Sequence, residues 1–243
     1  MPKFFVMSDI HGFYNKMIEA LDNAGFDKDN PDHWVVTCGD HFDRGGQALQ
    51  VMKYLDSLPR KILVRGNHEQ LLEYLCERGF PYSYDKSNGT FSTVCQLGLI
   101  YSNGEIDYDY VLARVKPFFK QMVNYFETKN HIFVHSWIPV DNENGVLYRF
   151  KEDWREASDD EWDNSRWGNP YDMAAKGLLP DKTVVFGHWH CSTGWAEAEG
   201  RSEFGEDAKF DPYYGDGFIS IDACTAYSGK VNVVVIEDEF LEE

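Results

Sequence analysis

The feature that most constrains this chain is a unit repeated three times near its amino terminus: a short apolar run, a polar cluster, then a stretch with apolar residues at helical spacing. KFFVM runs into SDIHG, HWVVTC into GDHFDRG, and KILV into RGNHE. The stretches that follow carry Met17, Ile18 and Leu21, then Leu49, Met52 and Leu55, then Leu71, Leu72 and Leu75. That spacing puts the apolar side chains on one helix face, and Gly25, Pro59 and Gly79 stand where such helices should stop. Strand and helix alternating in this way predict an α/β chain with a parallel sheet and right-handed crossovers. In such sheets ligands bind at the carboxyl ends of the strands, so all three polar clusters are expected on one edge.

Residues Phe80 to Asp107, rich in Gly, Ser, Asn and Tyr, read as an irregular, variable insertion around 80–108, followed by a helix near Tyr110 to Glu127. The second half adds two apolar runs that end in histidines, HIFVHS and KTVVFGHWH. GFISIDAC and KVNVVVIED, separated by TAYSG, read as a hairpin or a pair of adjacent strands, and a second sheet is expected. No solenoid-type repeat or low-complexity linker interrupts the chain, so residues 1–243 are expected to form one domain, a length that suits a single large α/β unit.

Charge narrows the partners. The formal net charge is -18, with acidic blocks such as EDWREASDDEWD and EDEFLEE, whereas a grip on nucleic acid needs clustered Lys and Arg to displace counterions. Nucleic-acid binding is therefore not expected. The first apolar run stops at Asp9, too soon for a signal peptide, and Val231 to Ile236 is too short to span a bilayer. Five cysteines, Cys38, Cys76, Cys95, Cys191 and Cys224, show no C-x-x-C pair and are odd in number, which argues against a disulfide framework and for the reducing cytoplasm.

The polar residues at the expected strand ends are Asp9, His11, Asp40, Asn67, His135, His188 and His190. Carboxylate, imidazole and carboxamide oxygen form a mixed N/O set without thiolate, suited to Mn²⁺, Fe, Zn²⁺ or Co²⁺. The set is too rich for one ion. Two divalent cations about 3.5–4 Å apart need one shared carboxylate, and Asp40 is the candidate bridge. Asp9 and His11, like His188 and His190, are spaced so that both side chains can face one ion where a strand opens into a loop.

SDIHG, GDHFDRG, RGNHE, FVHS and GHWH, in this order from Ser8 to Gly229, closely resemble the motif blocks of the calcineurin-like metallophosphoesterases, in particular the phosphoprotein phosphatase branch with its bacterial and phage members. The resemblance implies a four-layer α/β/β/α sandwich of two mixed sheets flanked by helices. It implies one metal held by Asp9, His11 and Asp40, and another by Asp40, Asn67, His135 and His188. His190 would join the first ion, as the equivalent histidine does in the broader superfamily though not in many phosphoprotein phosphatases.

A water activated between the cations would then attack phosphorus in line, with no protein nucleophile. His68 is the candidate proton donor to the leaving oxygen and Asp43 its orienting carboxylate, unless Asp43 merely caps the helix beginning near Gly46. By the same resemblance, Arg44 and Asn67 would contact the phosphate. Arg166 is the preferred second arginine, with Arg149 as its rival and a surface ion pair as the alternative for either. Tyr227 matches a tyrosine-bearing loop over the site. The tryptophans read as packing residues, with Trp189 bordering the cleft, and Cys38 and Cys191 as small buried groups. These features imply a manganese-type phosphatase acting on phosphoprotein or small phosphomonoesters. A dinucleoside polyphosphate hydrolase, a phosphodiesterase and a non-catalytic interaction module stay open as alternatives.

Overall fold

The computed structural model describes residues 1–143, 147–151 and 153–241, the side chains at 142, 143 and 147–150 excepted. In chain order the first half comprises β1 (Lys3–Met7), α1 (Tyr14–Asn23), β2 (His33–Cys38), α2 (Ala48–Ser57), β3 (Lys61–Val64), α3 (Asn67–Arg78), α4 (Ser83–Ser87), α5 (Thr90–Leu97), α6 (Tyr108–Phe119), β4 (Met122–Val123), β5 (Phe126–Glu127) and β6 (His131–Phe133). The second comprises β7 (Val140–Glu143), β8 (Leu147–Phe150), α7 (Asp159–Ser165), α8 (Pro170–Ala175), β9 (Thr183–His190), α9 (Cys191–Glu199), β10 (Tyr213–Gly215), β11 (Phe218–Asp222), α10 (Thr225–Ser228) and β12 (Val234–Glu237).

The repeated unit forms as its pattern requires: β1, β2, β3 and β4 pair in parallel, with α1, α2 and α3 as connections. The strand order is β12-β1-β2-β3-β4, and a second sheet runs β10-β11-β9-β6-β5. Both sheets are mixed, because β12, β10 and β5 each pair antiparallel to a neighbour. Phe4, Val6, Val36 and Cys38 of the first sheet pack against Phe133, Val185 and Ile221 of the second. On the outer face of the first sheet, Met17, Leu55, Leu72, Val94 and Val115 bring helices onto Phe5 and Met7. Trp137, Trp162 and Tyr171 cover Val184 and Phe186 on the outer face of the second. This is the expected α/β/β/α sandwich, and burial of one such Phe or Leu contributes about 1.5–3 kcal/mol.

Three local expectations change. GFISIDAC and KVNVVVIED are not adjacent: β11 pairs with β9 in the second sheet, and β12 crosses through α10 to pair with β1 in the first. Val234 and Ile236 are buried while Val235 and Glu237 are not, which is the alternation of an edge strand with one face on a core. The insertion is partly helical. Thr90, Thr93, Val94 and Leu97 lie one turn apart on the buried face of α5, a period that its Ser, Gly and Asn content obscured. The next helix ends at Phe119, eight residues short of Glu127, because Met122 and Val123 extend the first sheet beside β3.

Candidate active site

The residues expected to hold metal lie together at the carboxyl ends of the strands. Asp9 and His11 follow β1, Asp40 follows β2, Asn67 opens α3 after β3, His135 follows β6, and His188 and His190 end β9. Seven non-glycine residues among those described have positive φ, and six of them are Asp9, His11, Asp40, Asp43, Arg44 and His188. Such conformations cost about 1–3 kcal/mol each and persist only where the surroundings dictate them. Backbone strain is thus concentrated where side chains are aimed inward. Glycines let the loops interleave: a Cβ on Gly66 would lie 2.2 Å from Asp40 Oδ1, and one on Gly187 would lie 2.2 Å from Asp9 Oδ2.

Two groups of ligand atoms share Asp40. His135 Nδ1 is 2.8 Å from the Cys38 carbonyl, and donating there leaves its Nε2 as a lone pair. That Nε2 lies 2.7 Å from Asn67 Oδ1, 3.2 Å from His188 Nδ1 and 3.4 Å from Asp40 Oδ1. On the other side, His11 Nδ1 is 2.8 Å from the Phe42 carbonyl, and its Nε2 lies 3.7 Å from both Asp9 Oδ1 and Asp40 Oδ2. The two oxygens of Asp40 therefore face different groups, an arrangement open to a carboxylate shared between two cations. Asp40, His135 and His188 bring ligand atoms close enough to hold one ion, and so do His11, Asp40 and His68.

Electrostatics fit cations. Burial, then the charges of Asp222 and Asp40, push Asp9 up to about 8. Burial also raises Asp40 to about 6 despite the nearby His68, and Asp222 to about 7 despite a hydrogen bond from the Cys224 N–H. Burial holds His11 and His188 well below the usual histidine range, and lowers His135 as well. Crowded carboxylates beside neutral imidazoles are what a divalent cation stabilises.

The comparisons with known proteins agree with this chemistry. A family model described as calcineurin-like phosphoesterase matches residues 2–192. The chain belongs to this family. It is 26% identical over 152 residues to an asymmetrical bis(5'-nucleosyl)-tetraphosphatase of Halalkalibacterium halodurans, covering 58% of this chain and 59% of that one. It is 29% identical over 121 residues to a symmetrical bis(5'-nucleosyl)-tetraphosphatase of Buchnera aphidicola, covering 49% of this chain and 39% of that one. The matches thus span less than two thirds of these relatives. A solved structure assigned provisionally as a diadenosine tetraphosphatase shares the fold, with a TM-score of 0.54 at 17% identity over 100% of this chain and 97% of that one.

Within this site, His68 differs from His11, His135 and His188 in having a carboxylate hydrogen-bond partner on its second ring nitrogen. Its Nδ1 is 2.6 Å from Asp43 Oδ2 and its Nε2 is 3.8 Å from Asp40 Oδ2. Burial opposes its charge, but Asp40 and the Asp43 hydrogen bond outweigh it and raise His68 to about 9. A ring held protonated between two carboxylates suits proton donation, and its place beside His11 and Asp40 would become ligation only on loss of that proton. Asp43 caps no helix; α2 begins at Ala48 with no side-chain cap. Thr90 Oγ1 and Thr93 Oγ1 donate to its two oxygens, each at 2.7 Å. Helix α5 thereby fixes the Asp43–His68 pair, a role that reading the segment as a variable loop missed.

Other residues were also missed. Buried Glu69 accepts from the backbone N–H groups of Asp40, His41 and Gly66 at 3.1, 2.9 and 2.8 Å. It ties the Asp40 loop to the Asn67 loop. Asp222 is buried and lines the cleft; it ends the apolar run FISI as Asp9 ends FFVM, so the same grammar pointed to it.

The cleft itself encloses about 200 Å³, with Arg44, His68, Trp167 and His190 on its walls. His190 stays outside both ligand groups, its Nδ1 3.8 Å from Glu203. Arg166 is not brought to the cleft: its guanidinium is taken by Asp163 and Asn124, and it lines a separate cavity with Arg65. The Arg149 side chain lies outside the described residues. Tyr227 does not line the cleft and packs on Phe204 and Phe210. The expectation for Trp189 also fails. Side chains alternate along β9, so Trp189 turns to the apolar layer while His188 and His190 face the cleft, and exposed Trp167 borders it instead. Cys38 and Cys191 are buried thiols pushed upward by burial.

These shifts set a stability profile for the metal-free protein. His68, raised to about 9, contributes stability that is present below its ordinary 6.5 and lost as pH climbs. Asp222 and Asp9, raised to about 7 and about 8, stay protonated where the unfolded chain does not, and also lose stability as pH rises. The lowered histidines act in the opposite direction only near and below about pH 6.5, where the unfolded chain gains protons. The Tm of chelator-treated protein is therefore expected to fall from about pH 6.5 to 8.5. Adding Mn²⁺ at the upper end should restore it, since a ligand bound by the native state alone stabilises it. A flat Tm, unmoved by metal, would contradict the electrostatic account.

Proposed function

We propose that this phosphoesterase hydrolyses phosphate monoesters with two divalent cations, Mn²⁺ foremost, and that phosphoprotein or small phosphomonoesters are its substrates. The observation that carries the reading is the buried His68–Asp43 pair beside Asp40. Cations bound there would polarise the phosphoryl oxygens and lower the pKa of water toward neutrality. Asp40 would be shared between them, Asp9 and His11 would complete one side, and Asn67, His135 and His188 the other. Arg44, exposed at the cleft, is placed to receive phosphate oxygens. His68 would protonate the leaving oxygen, a need that is greatest for the alkoxide of a phosphoserine or alkyl ester. The cytoplasm is the proposed compartment, in keeping with five free cysteines and with no described helix long and apolar enough to cross a membrane.

A second reading, hydrolysis of dinucleoside polyphosphates, is favoured by the names of the curated relatives. The test is a panel of a phosphoserine peptide, a phosphodiester and diadenosine tetraphosphate with Mn²⁺-reconstituted protein. Fast release from the peptide with the dinucleotide left intact supports the first reading, the reverse supports the second, and no release from any member overturns both.

A further inference from the structure

Trp167 lines two spaces at once: the cleft that holds the ligand groups, and a neighbouring pocket of about 430 Å³. The indole is 49% exposed, yet it is not loose, because its Nε1–H donates to Gln70 Oε1 at 3.1 Å. Gln70 is itself held by Asp163 and Tyr74 at 2.8 and 2.9 Å. A large apolar ring fixed in place and open to solvent beside a catalytic cleft is a preformed stacking platform.

The pocket behind it is chemically unlike the cleft. Trp137, Ile138, Pro139 and Met173 supply apolar walls, and Asn164 adds an amide. Neither Lys nor Arg is among its lining residues, and Glu161, which is, pairs with Lys151, so the space suits an uncharged group. The Nε1–H of Trp137 is buried and has no hydrogen-bond acceptor among the described residues, although Trp137 is only 2% exposed. A buried donor without a partner costs about 1–3 kcal/mol, and Trp137 is one of the residues that line this pocket. Planarity, neutrality, ring acceptors and a polar edge within reach of an amide together describe a heteroaromatic base.

We infer that the pocket bounded by Trp167 and Trp137 binds the nucleobase of a nucleotide whose phosphate lies in the adjoining cleft. The substrate class is then nucleotides, as monoesters among the small phosphomonoesters of the first reading or as nucleoside-capped polyphosphates under the second, and Trp167 acts as a specificity-determining residue that stacks on the base. The inference rests on the proposal that the metal cleft is where phosphate is held.

The experiment compares adenosine 5′-monophosphate with ribose 5-phosphate by calorimetry on Mn²⁺-loaded protein inactivated by His68→Asn, so that neither probe is consumed. Base stacking predicts that the nucleotide binds about 10-fold or more tightly than the sugar phosphate. Trp167→Ala should abolish that gap, and Trp167→Phe, which keeps a stacking face, should retain most of it. Equal binding of the two probes, or a gap that survives Trp167→Ala, overturns the inference. Failure of the hydrolase reading would look different: no ester in the panel would release phosphate from the native protein, whatever the size of the binding gap.

Discussion

Replacing Asp40 with asparagine is expected to abolish metal binding and turnover together. The carboxylate presents Oδ1 toward His135 at 3.4 Å and Oδ2 toward His11 at 3.7 Å, so a single side chain serves both ligand groups. An amide keeps the shape but offers one neutral oxygen, and its NH₂ would point toward a group that supplies only lone pairs. Asparagine can still accept the 3.0 Å hydrogen bond from the His68 N–H, so the loop should keep its course. The loss would therefore lie in charge. If the cations provide several kcal/mol of transition-state stabilisation, kcat/KM should fall by about 10³-fold or more. Elemental analysis should find two equivalents of metal in the native protein and fewer than one in the variant. A variant that retained both ions and still turned over would remove Asp40 from the bridging position.

That prediction could be framed because the candidate ligands reside in short local motifs at strand ends, where chain order and site geometry coincide. Asp9, His11, Asp40, Asn67, His135 and His188 meet for this reason, and the parallel sheet follows from the same apolar runs, whereas the four-layer arrangement came from the family resemblance. What lay beyond reach depends on contacts between segments distant in sequence. Thr90 and Thr93 look like ordinary loop residues until α5 packs onto the first sheet and presents both hydroxyls to Asp43. Arg166 follows an acidic helix, and Asp163 one turn earlier captures it. Trp189 could have been placed correctly, since the two-residue period that puts His188 and His190 together also sends the residue between them to the other face. The separation of β11 from β12 could not, because both partners, β9 and β1, offer equally apolar neighbours.

The second large effect is expected at His68. Substitution by asparagine leaves Asp9, His11, Asp40, Asn67, His135 and His188 in place, so metal content should stay at the native level while kcat falls by about 10²–10⁴-fold, the usual span for a lost general acid. The size of the loss should depend on the substrate. An alkyl phosphate, whose leaving oxygen is strongly basic, needs the proton most; p-nitrophenyl phosphate needs it least, because its phenolate departs without help. A donor must be protonated to act, so the native enzyme should lose activity as pH rises through the His68 pKa. Asp40 and Asp43 raise that pKa to about 9 without metal, and bound cations would pull it down by like-charge repulsion. The alkaline limb should therefore lie below pH 9 in the metal-loaded enzyme and be absent from the variant. Because the Asp43 oxygens are clamped by Thr90 and Thr93, Asp43→Asn should reproduce part of the defect by lowering the ring's basicity, with the alkaline limb displaced toward lower pH. Native activity in His68→Asn on an alkyl phosphate, or an alkaline limb unchanged in both variants, would deny the ring its role and leave the leaving oxygen to be protonated by water.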